Sequence, residues 1–196
     1  YCENIDDEID ADLFIFATTH RSKAGIPSLS MHVTGNWGKA ELGGKDRELC
    51  VSMANYMKDG LRCLEEEAKG SHYDIVQEVT HHGPYMKKPV MYIEIGSDEK
   101  EWKSREAGLT IAKVLKRLID NPPKMYRTAF GLGGLHTTPN FKKIMLDTDI
   151  ALGHVCPKYM LSELDSEMIK QALERNTTPA DLVIIDWKGL GQYKEK

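Results

Sequence analysis

The chain has 196 residues, of which 41% are hydrophobic and 29% charged, and its net charge is −4. These values predict one globular domain spanning residues 1–196 and exclude a disordered or fibrous protein. No apolar run approaches the roughly 20 residues of a membrane span, and the four cysteines show no C-x-x-C spacing, so we expect reduced thiols and a cytoplasmic protein.

Short hydrophobic strands alternate with amphipathic helices along the chain. The hydrophobic pattern predicts strands over 13–17, 73–79, 90–95, 126–130, 150–155 and 182–185, and helices over 49–68, 98–119 and 165–174, with a short helix starting at Thr138-Pro139. Residues 20–47 show no clean period and are predicted to form a long polar loop. The alternation indicates a three-layer α/β/α fold around a mostly parallel or mixed central sheet.

Five of the seven histidines lie where predicted strands end, which is where open α/β sheets bind ligands. They are His20, His81, His82, His136 and His154. The other two are His72, in an ordinary turn, and His32, in the long polar loop. These loops are therefore the predicted working surface.

A glycine-rich loop follows the strand 126–130. Gly131-x-Gly133 begins like a dinucleotide fingerprint, but His136 stands where the third glycine belongs, and G-x-S-x-G, H-E-x-x-H and P-loop motifs are absent from the sequence. The loop could cradle a phosphate or an oxyanion, or form only a tight turn. The histidine inside it favours a functional loop.

Glu94 lies in an otherwise apolar strand, where a carboxylate is costly to bury unless it is paired. It is predicted to be the partner of a histidine, as a base or an orienting group, and a salt bridge to a basic residue is equally open. Adjacent side chains point to opposite faces of an extended chain, so His82 is the better site candidate and His81 the better structural one. The two would share a metal only if the chain turned sharply at Gly83-Pro84.

Several sequence blocks run through the chain in order. They are HVTGNWG (32–38), GGKD (43–46), THHGP (80–84), IEIGS (93–97) with Trp102, GLGGLH (131–136), GHVCPKY (153–159) and DWKG (186–189). Together they resemble the archaeal and plant type of D-aminoacyl-tRNA deacylase.

The resemblance implies hydrolysis of the ester that joins a D-amino acid to the terminal ribose of tRNA. It also implies a fold similar to peptidyl-tRNA hydrolase and the purine nucleoside phosphorylases, zinc as the cofactor, and tRNA charged with a D-amino acid as the partner. We expect a monomer. Family members usually carry a segment before the position of Tyr1, so we expect a βα element to be absent from this sheet.

The site residues expected within this chemistry fall into three groups. Water would be activated by His82 or His136, oriented by Glu94, with His81 completing the catalytic set, and zinc is expected at His82, His136 and His154. The oxyanion would be held by the N–H groups of Gly133 and Gly134 or by the Asn36 side chain. The remaining substrate contacts are assigned to Arg21, Lys45 and Lys158, toward the terminal nucleotides, and to His20, His32 and His154.

Two other functions stay open on the sequence. One is a metal-dependent hydrolase or phosphorylase acting on peptidyl-tRNA or nucleosides, and the other is a tRNA-binding module without enzymatic activity. The many strand-end histidines argue against the module, because phosphate binding alone favours Arg and Lys.

Overall fold

A computed structural model of the chain describes residues 2–195. Seven strands are assigned: β1 (Phe14–Arg21), β2 (Ser28–His32), β3 (Asp74–Gln77), β4 (Val90–Ser97), β5 (Arg127–Leu132), β6 (Ile150–Cys156) and β7 (Leu182–Ile185). The helices are α1 (Ile5–Glu8), α2 (Ala54–Glu67), α3 (Glu99–Trp102), α4 (Arg105–Asp120), α5 (Pro139–Asp147) and α6 (Ser166–Glu174), with 3-10 turns at Lys158–Met160 and Lys188–Glu195. The predicted α/β class is confirmed.

The strands form two sheets where the sequence predicts one. The first has the order β1-β4-β2-β3, with β2 antiparallel to β4 and the other pairs parallel, and the second has the order β6-β5-β7, all parallel. Residues 78–82, which we call the junction segment, connect them. Thr80 N donates to the Val155 carbonyl of β6 (3.1 Å), and His81 N donates to the Val33 carbonyl beyond β2 (3.3 Å).

Strand β2 lies inside the stretch predicted as a loop, so that part of the prediction is wrong. Leu29 and Met31 are fully buried toward the helices, and Ser30 and His32 are buried toward the opposite face. The alternation of a half-buried strand is present, but its polar members are themselves buried. That is why the segment has the composition of a loop.

The predicted helix 98–119 is two helices because it carries two caps. The Asp98 side chain accepts hydrogen bonds from Lys100 N and Glu101 N and starts α3. The Ser104 hydroxyl accepts from Ala107 N (3.2 Å) and starts α4 one turn later. Each side chain satisfies N–H groups that have no partner within their own helix.

The two faces of the first sheet differ in chemistry. Helices α2 and α4 bury the face that carries Leu29, Met31, Met91, Ile93 and Ile95 in the main hydrophobic core. The opposite face carries buried polar side chains at the alternate positions. No helix within residues 2–195 has the length and hydropathy of a membrane span.

Lys58 of α2 is fully buried and ties two later elements together. Its ammonium donates to the carbonyls of Thr148 (2.8 Å) and Ile150 (3.0 Å) and also to that of Met145. These carbonyls belong to the C-terminal end of α5 and the start of β6, where a helix end favours positive charge.

Lys58→Met should lower the free energy of unfolding by roughly 3 kcal/mol, because the carbonyls lose a buried charged donor while the volume stays filled. Urea denaturation measures the change. Lys69→Met, at an exposed lysine just after α2, is the matched control and should change stability by less than about 0.5 kcal/mol. Equal effects of the two substitutions would contradict the assigned role of Lys58.

Candidate active site

Strand alternation and register place a polar row on the face of the first sheet that the helices leave uncovered. Thr18 of β1 and Ser30 of β2 both pair with Glu94 of β4, and His32 pairs with Tyr92. Residues two apart on a strand share a face, so these side chains point to the same side of the sheet. The Thr18 hydroxyl donates to Glu94 Oε1 (3.1 Å).

Glu78, the first residue of the junction segment, is the centre of the site. Its carboxylate is almost completely buried, and His136 Nε2 lies 3.2 Å from its Oε2. His81 Nε2 lies 3.5 Å from the same oxygen, and His20 Nε2 lies 3.9 Å from Oε1. Three histidines from distant parts of the chain therefore surround one carboxylate.

His32 and Glu94 form a second pair behind the first. His32 Nε2 lies 3.3 Å from Glu94 Oε2, but it has no aligned hydrogen-bond partner among the described residues. The His32 ring lies 4.1 Å from the ring of His81 and 4.8 Å from that of His82, centroid to centroid. Glu94 therefore has a histidine partner, as expected, but that partner is His32 and not His82 or His136.

The chain turns at His82, which brings His81 and His82 to one side. His82 has a φ of 42°, in the left-handed region, and the two rings lie 4.5 Å apart. The extended backbone that would separate their side chains is therefore absent here. This turn is the condition under which the two residues could share a metal.

The charges of the cluster are set by burial and by the histidines. Burial raises the pKa of Glu78, but the hydrogen bond with His136 and the nearby His32, His81 and His20 outweigh it, and the pKa falls well below its ordinary value. Burial also raises the pKa of Glu94, and the interaction with His32 again outweighs it. Both carboxylates are therefore ionised.

The histidine pKa values move in opposite directions. Burial, reinforced by the neighbouring His32, lowers the pKa of both His81 and His82. Burial would lower that of His32 as well, but its interaction with Glu94 outweighs burial and raises it. His81 and His82 are therefore neutral imidazoles near pH 7, each with one ring nitrogen free of a proton.

The free nitrogen can be identified for each ring. His81 Nδ1 lies 2.8 Å from the Val79 carbonyl, His82 Nδ1 contacts that of Gly83, and His32 Nδ1 lies 3.3 Å from that of Val33. Each Nδ1–H donates to a carbonyl, which leaves Nε2 of neutral His81 and His82 as a lone-pair donor, the arrangement common to metal-binding histidines. Nε2 of His32 faces the ionised Glu94, which raises the His32 pKa, so His32 would have to release its Nε2 proton to bind a metal in the same way. Nε2 of neutral His81 is a hydrogen-bond acceptor, and it faces an oxygen of Glu78 that is also an acceptor. The contact between the two acceptors is unfavourable, and a cation bound between them would relieve it.

Among residues 2–195, three overlapping groups could hold a metal ion, each with donor atoms within 4.8 Å of one another. They are His32 with His81 and His82, Glu78 with His81 and His136, and His20 with Glu78 and Glu94. Nitrogen and carboxylate donors in sets of three are typical of catalytic zinc. The residues present therefore fit the ion.

A cleft of about 790 Å³ opens beside Glu78, and we call it the histidine cleft. Its lining includes His20, Arg21, Glu78 and His136. The His136 side chain is 41% exposed there, and its Nδ1 lies 3.2 Å from the hydroxyl of Tyr159. The volume is within the range of small-molecule sites.

The structure does not bring His154 to this cluster. His154 is fully buried in the second sheet, its Nε2–H donates to the Arg175 carbonyl (2.9 Å), and the Thr80 hydroxyl meets its Nδ1 (3.2 Å). With both nitrogens engaged it has no position for a metal or a substrate. The expectation that it binds either one is corrected accordingly.

The expected oxyanion donors are also engaged elsewhere. Gly133 N donates to the Cys156 carbonyl (2.9 Å), and Gly134 N donates to the Gly189 carbonyl (3.3 Å). The Asn36 amide donates to the carbonyls of Gly43 (2.9 Å) and Lys45 (3.2 Å). These groups hold loops in place, so their assignment to the oxyanion is corrected.

The three expected basic contacts are dispersed. Arg21 lines the histidine cleft and stacks over the Trp102 ring at 4.7 Å. Lys45 Nζ lies 4.1 Å from the centre of the Tyr85 ring, outside the cleft lining. Lys158 lines a neighbouring, smaller cleft.

Sequence reasoning missed Glu78 and Tyr159. Glu78 lies within the apolar stretch 73–79, so the argument made for Glu94, a carboxylate in a buried strand, would have found it. Tyr159 follows Lys158 in a turn, and a lone tyrosine in a turn gives no signal of its own.

The pH dependence of stability should report the burial of neutral His154. Burial lowers the pKa of His154 to about 4, from an unfolded value near 6.5, so the unfolded chain binds the extra proton first as the pH falls. Stability is therefore lost between pH 6.5 and 4, by roughly 3 kcal/mol from this residue.

Urea denaturation at pH 7 and pH 4.5 measures this loss. His154→Gln removes the titrating group, so the variant should lose about 2 kcal/mol less than the parent between the two pH values, since part of the effect lies below pH 4.5. His72→Gln, at a half-exposed histidine, should keep the parent's dependence. An unchanged dependence in His154→Gln would contradict the neutral, buried assignment.

Comparisons with known proteins identify the family of the chain. The profile of the D-aminoacyl-tRNA deacylase family matches residues 7–196. The D-aminoacyl-tRNA deacylase of Thermococcus onnurineus is 37% identical over 197 residues, covering 96% of this chain and 72% of the relative, and that of Methanosarcina mazei is 42% identical over 193 residues, covering 96% and 63%. The crystal structure of the conserved protein of unknown function AF0625 aligns with a TM-score of 0.93 at 34% identity, covering all of this chain and 71% of that one. The chain belongs to the D-aminoacyl-tRNA deacylase family.

Proposed function

We propose that this protein hydrolyses the ester between a D-amino acid and the terminal ribose of tRNA, releasing the free amino acid and the tRNA. Family membership supports the substrate class. The observation that carries the chemistry is the ionised, buried Glu78 beside His136 at the wall of the histidine cleft. An aminoacyl ester is already activated, so one positioned base can suffice.

His136 is the proposed base. Because Glu78 is ionised, it accepts a hydrogen bond from Nε2–H of His136 (3.2 Å), and Nδ1 is left as the acceptor. In the structure Nδ1 meets the hydroxyl of Tyr159, whose side chain is half exposed. A water molecule that takes the place of this hydroxyl would lie against the base.

The proton that His136 takes from water is returned to the leaving group within the same reaction. As the water oxygen bonds to the ester carbonyl carbon, a water proton moves to His136 Nδ1 and the carbonyl oxygen becomes negative. Glu78 stabilises the imidazolium, the role of the carboxylate in catalytic triads. When the carbon–oxygen bond to the ribose breaks, the imidazolium returns this proton to the ribose oxygen.

His32, His81 and His82 are proposed to hold zinc through Nε2. The buried Nε2 of His32 without an aligned partner and the His81–Glu78 contact between two acceptors support this set. A bound zinc ion would supply Lewis-acid polarisation of the ester carbonyl. The chain's part is to fix the three rings by carbonyl contacts at Nδ1; His81 and His82 are already neutral, and His32 would have to give up its Nε2 proton to bind the ion.

A cytoplasmic location is part of the same proposal. Among the described residues all four cysteines are unpaired, which fits a reducing compartment. The monomeric state stays a prediction.

Glu78→Gln and His136→Ala should each lower kcat/KM for D-Tyr-tRNA at least roughly 100-fold, because each removes one half of the proton-transfer pair. Single-turnover release of D-tyrosine measures the effect. Glu174→Gln and His72→Ala, at exposed positions, are matched controls and should stay within about twofold of the parent.

The same assay with L-Tyr-tRNA, N-blocked peptidyl-tRNA, and inosine with phosphate separates the alternatives. Faster turnover of either of the last two than of D-Tyr-tRNA would overturn the proposed substrate. Near-parental turnover in both Glu78→Gln and His136→Ala would overturn the proposed base.

His81→Ala and His82→Ala should each lower the zinc content of the purified protein, measured by mass spectrometry, to less than half that of the parent, because each removes a ligand. His154→Gln should keep the parental content, since its nitrogens face protein groups. Dialysis against a chelator should abolish deacylation, and added zinc should restore it. Parental zinc in both alanine variants would place the ion elsewhere.

A further inference from the structure

A second cleft of about 370 Å³ lies directly beside the histidine cleft. The two share the wall formed by Leu135, Thr137, Thr138 and Pro139. Nothing in the hydrolytic chemistry described above uses the second cleft. Its position would place a ligand one loop away from the base His136.

The second cleft carries positive charge that the protein leaves unpaired. Lys158 and Lys188 line it, and within residues 2–195 no carboxylate oxygen forms an ion pair with either ammonium group. Asp186 lines it too, but its carboxylate accepts from the Asn140 amide (3.1 Å) and from Gly189 N (3.1 Å). The chain has a net charge of −4, so two lysines without ion-pair partners at one cleft form a local positively charged site that attracts anions.

The Lys158 side chain packs over a glycine. It passes over Gly191, where an added Cβ would lie 3.1 Å from its Cδ and 3.4 Å from its Nζ. Gly191 has a φ of 58°, so a larger residue there would be strained as well as crowded. The glycine keeps room for the lysine stem.

An exposed aromatic ring completes the surface. Trp187 lies in sequence between Asp186 and Lys188, both of which line the cleft, and it is 57% exposed, whereas Trp37 is buried in a core. Lysines that follow a phosphate backbone, together with aromatic rings on which bases stack, are the usual surface for single-stranded nucleic acid.

We propose that the second cleft binds the single-stranded 3′ end of the tRNA. Lys158 and Lys188 pair with its phosphates, and Trp187 stacks on one of its bases. The assignment rests on the proposed function, because the histidine cleft must hold the aminoacyl ester that terminates the same strand. The shared wall lets one strand occupy both clefts.

The test measures RNA binding apart from ester cleavage. Fluorescence anisotropy with a fluorescein-labelled RNA ending in CCA, titrated over a range of salt concentrations, is compared for the parent, Lys158→Met and Lys188→Met. Methionine keeps the aliphatic stem and removes the charge, so each substitution should weaken binding about fivefold and reduce the salt slope by about one. Lys143→Met, at an exposed lysine of a different groove, should bind within twofold of the parent.

Trp187 is tested by a pair of substitutions. Trp187→Ala should weaken RNA binding about fivefold, and Trp187→Phe should recover most of the loss, because stacking needs a ring face. Equal losses in the two variants would overturn the stacking role. Urea denaturation confirms that each variant is folded.

The outcomes separate this inference from the proposed function. If the parent does not bind the RNA, or the lysine variants bind it like the parent, the second cleft is not the RNA site, whether or not esters are cleaved. If inorganic phosphate binds as tightly as the RNA, the cleft is a phosphate site and the inference fails. If binding falls in the lysine variants while the parent cleaves no D-aminoacyl ester, the RNA site stands and the proposed function fails.

Discussion

The buried negative charge of Glu78 is the constraint on which the site depends. A carboxylate in a protein interior is strongly unfavourable unless nearby donors or positive charges compensate it. Here His136 donates a hydrogen bond to the carboxylate and His20 lies beside it, while His81 brings a lone pair against the same oxygen that a cation would have to offset. The strand-end loops that carry these rings must therefore converge on one point, and the histidine cleft opens at that point.

In the first sheet, the alternation of side chains between the two faces divides the residues that stabilise the fold from those that form the site. Residues such as Met31 and Ile93 face the helices and supply apolar burial, while their neighbours His32 and Glu94 face the site. A shift of one residue in the pairing of β2 with β4 would exchange the two sets. The same hydrogen-bond register thus holds the core together and places the polar row.

The sequence predicted most strand ends to within two residues, but it ended β1 at 17 where the strand runs to Arg21, and it predicted the roles of individual residues poorly. Strand-end position and the cost of burying Glu94 are local properties, readable from composition and period. The partner of a histidine is a tertiary property, because the sequence assigned both His154 and His136 to strand ends, and only packing sends one into the interior and the other into a cleft. Strand β2 was missed although residues 28–34 alternate polar and apolar side chains, because the run is short and lies within a longer polar, glycine-rich stretch.

The junction segment has a consequence for how activity and folding are related. Its backbone bonds to β6 of one sheet through Thr80 and to the extension of β2 in the other through His81, and Glu78 and His82 lie on either side of these two bonds. Neither sheet alone can position these three side chains, since each supplies only one side of the segment. A partly folded chain in which only one sheet has formed would therefore be inactive. The appearance of turnover during refolding would show that the two sheets have come together.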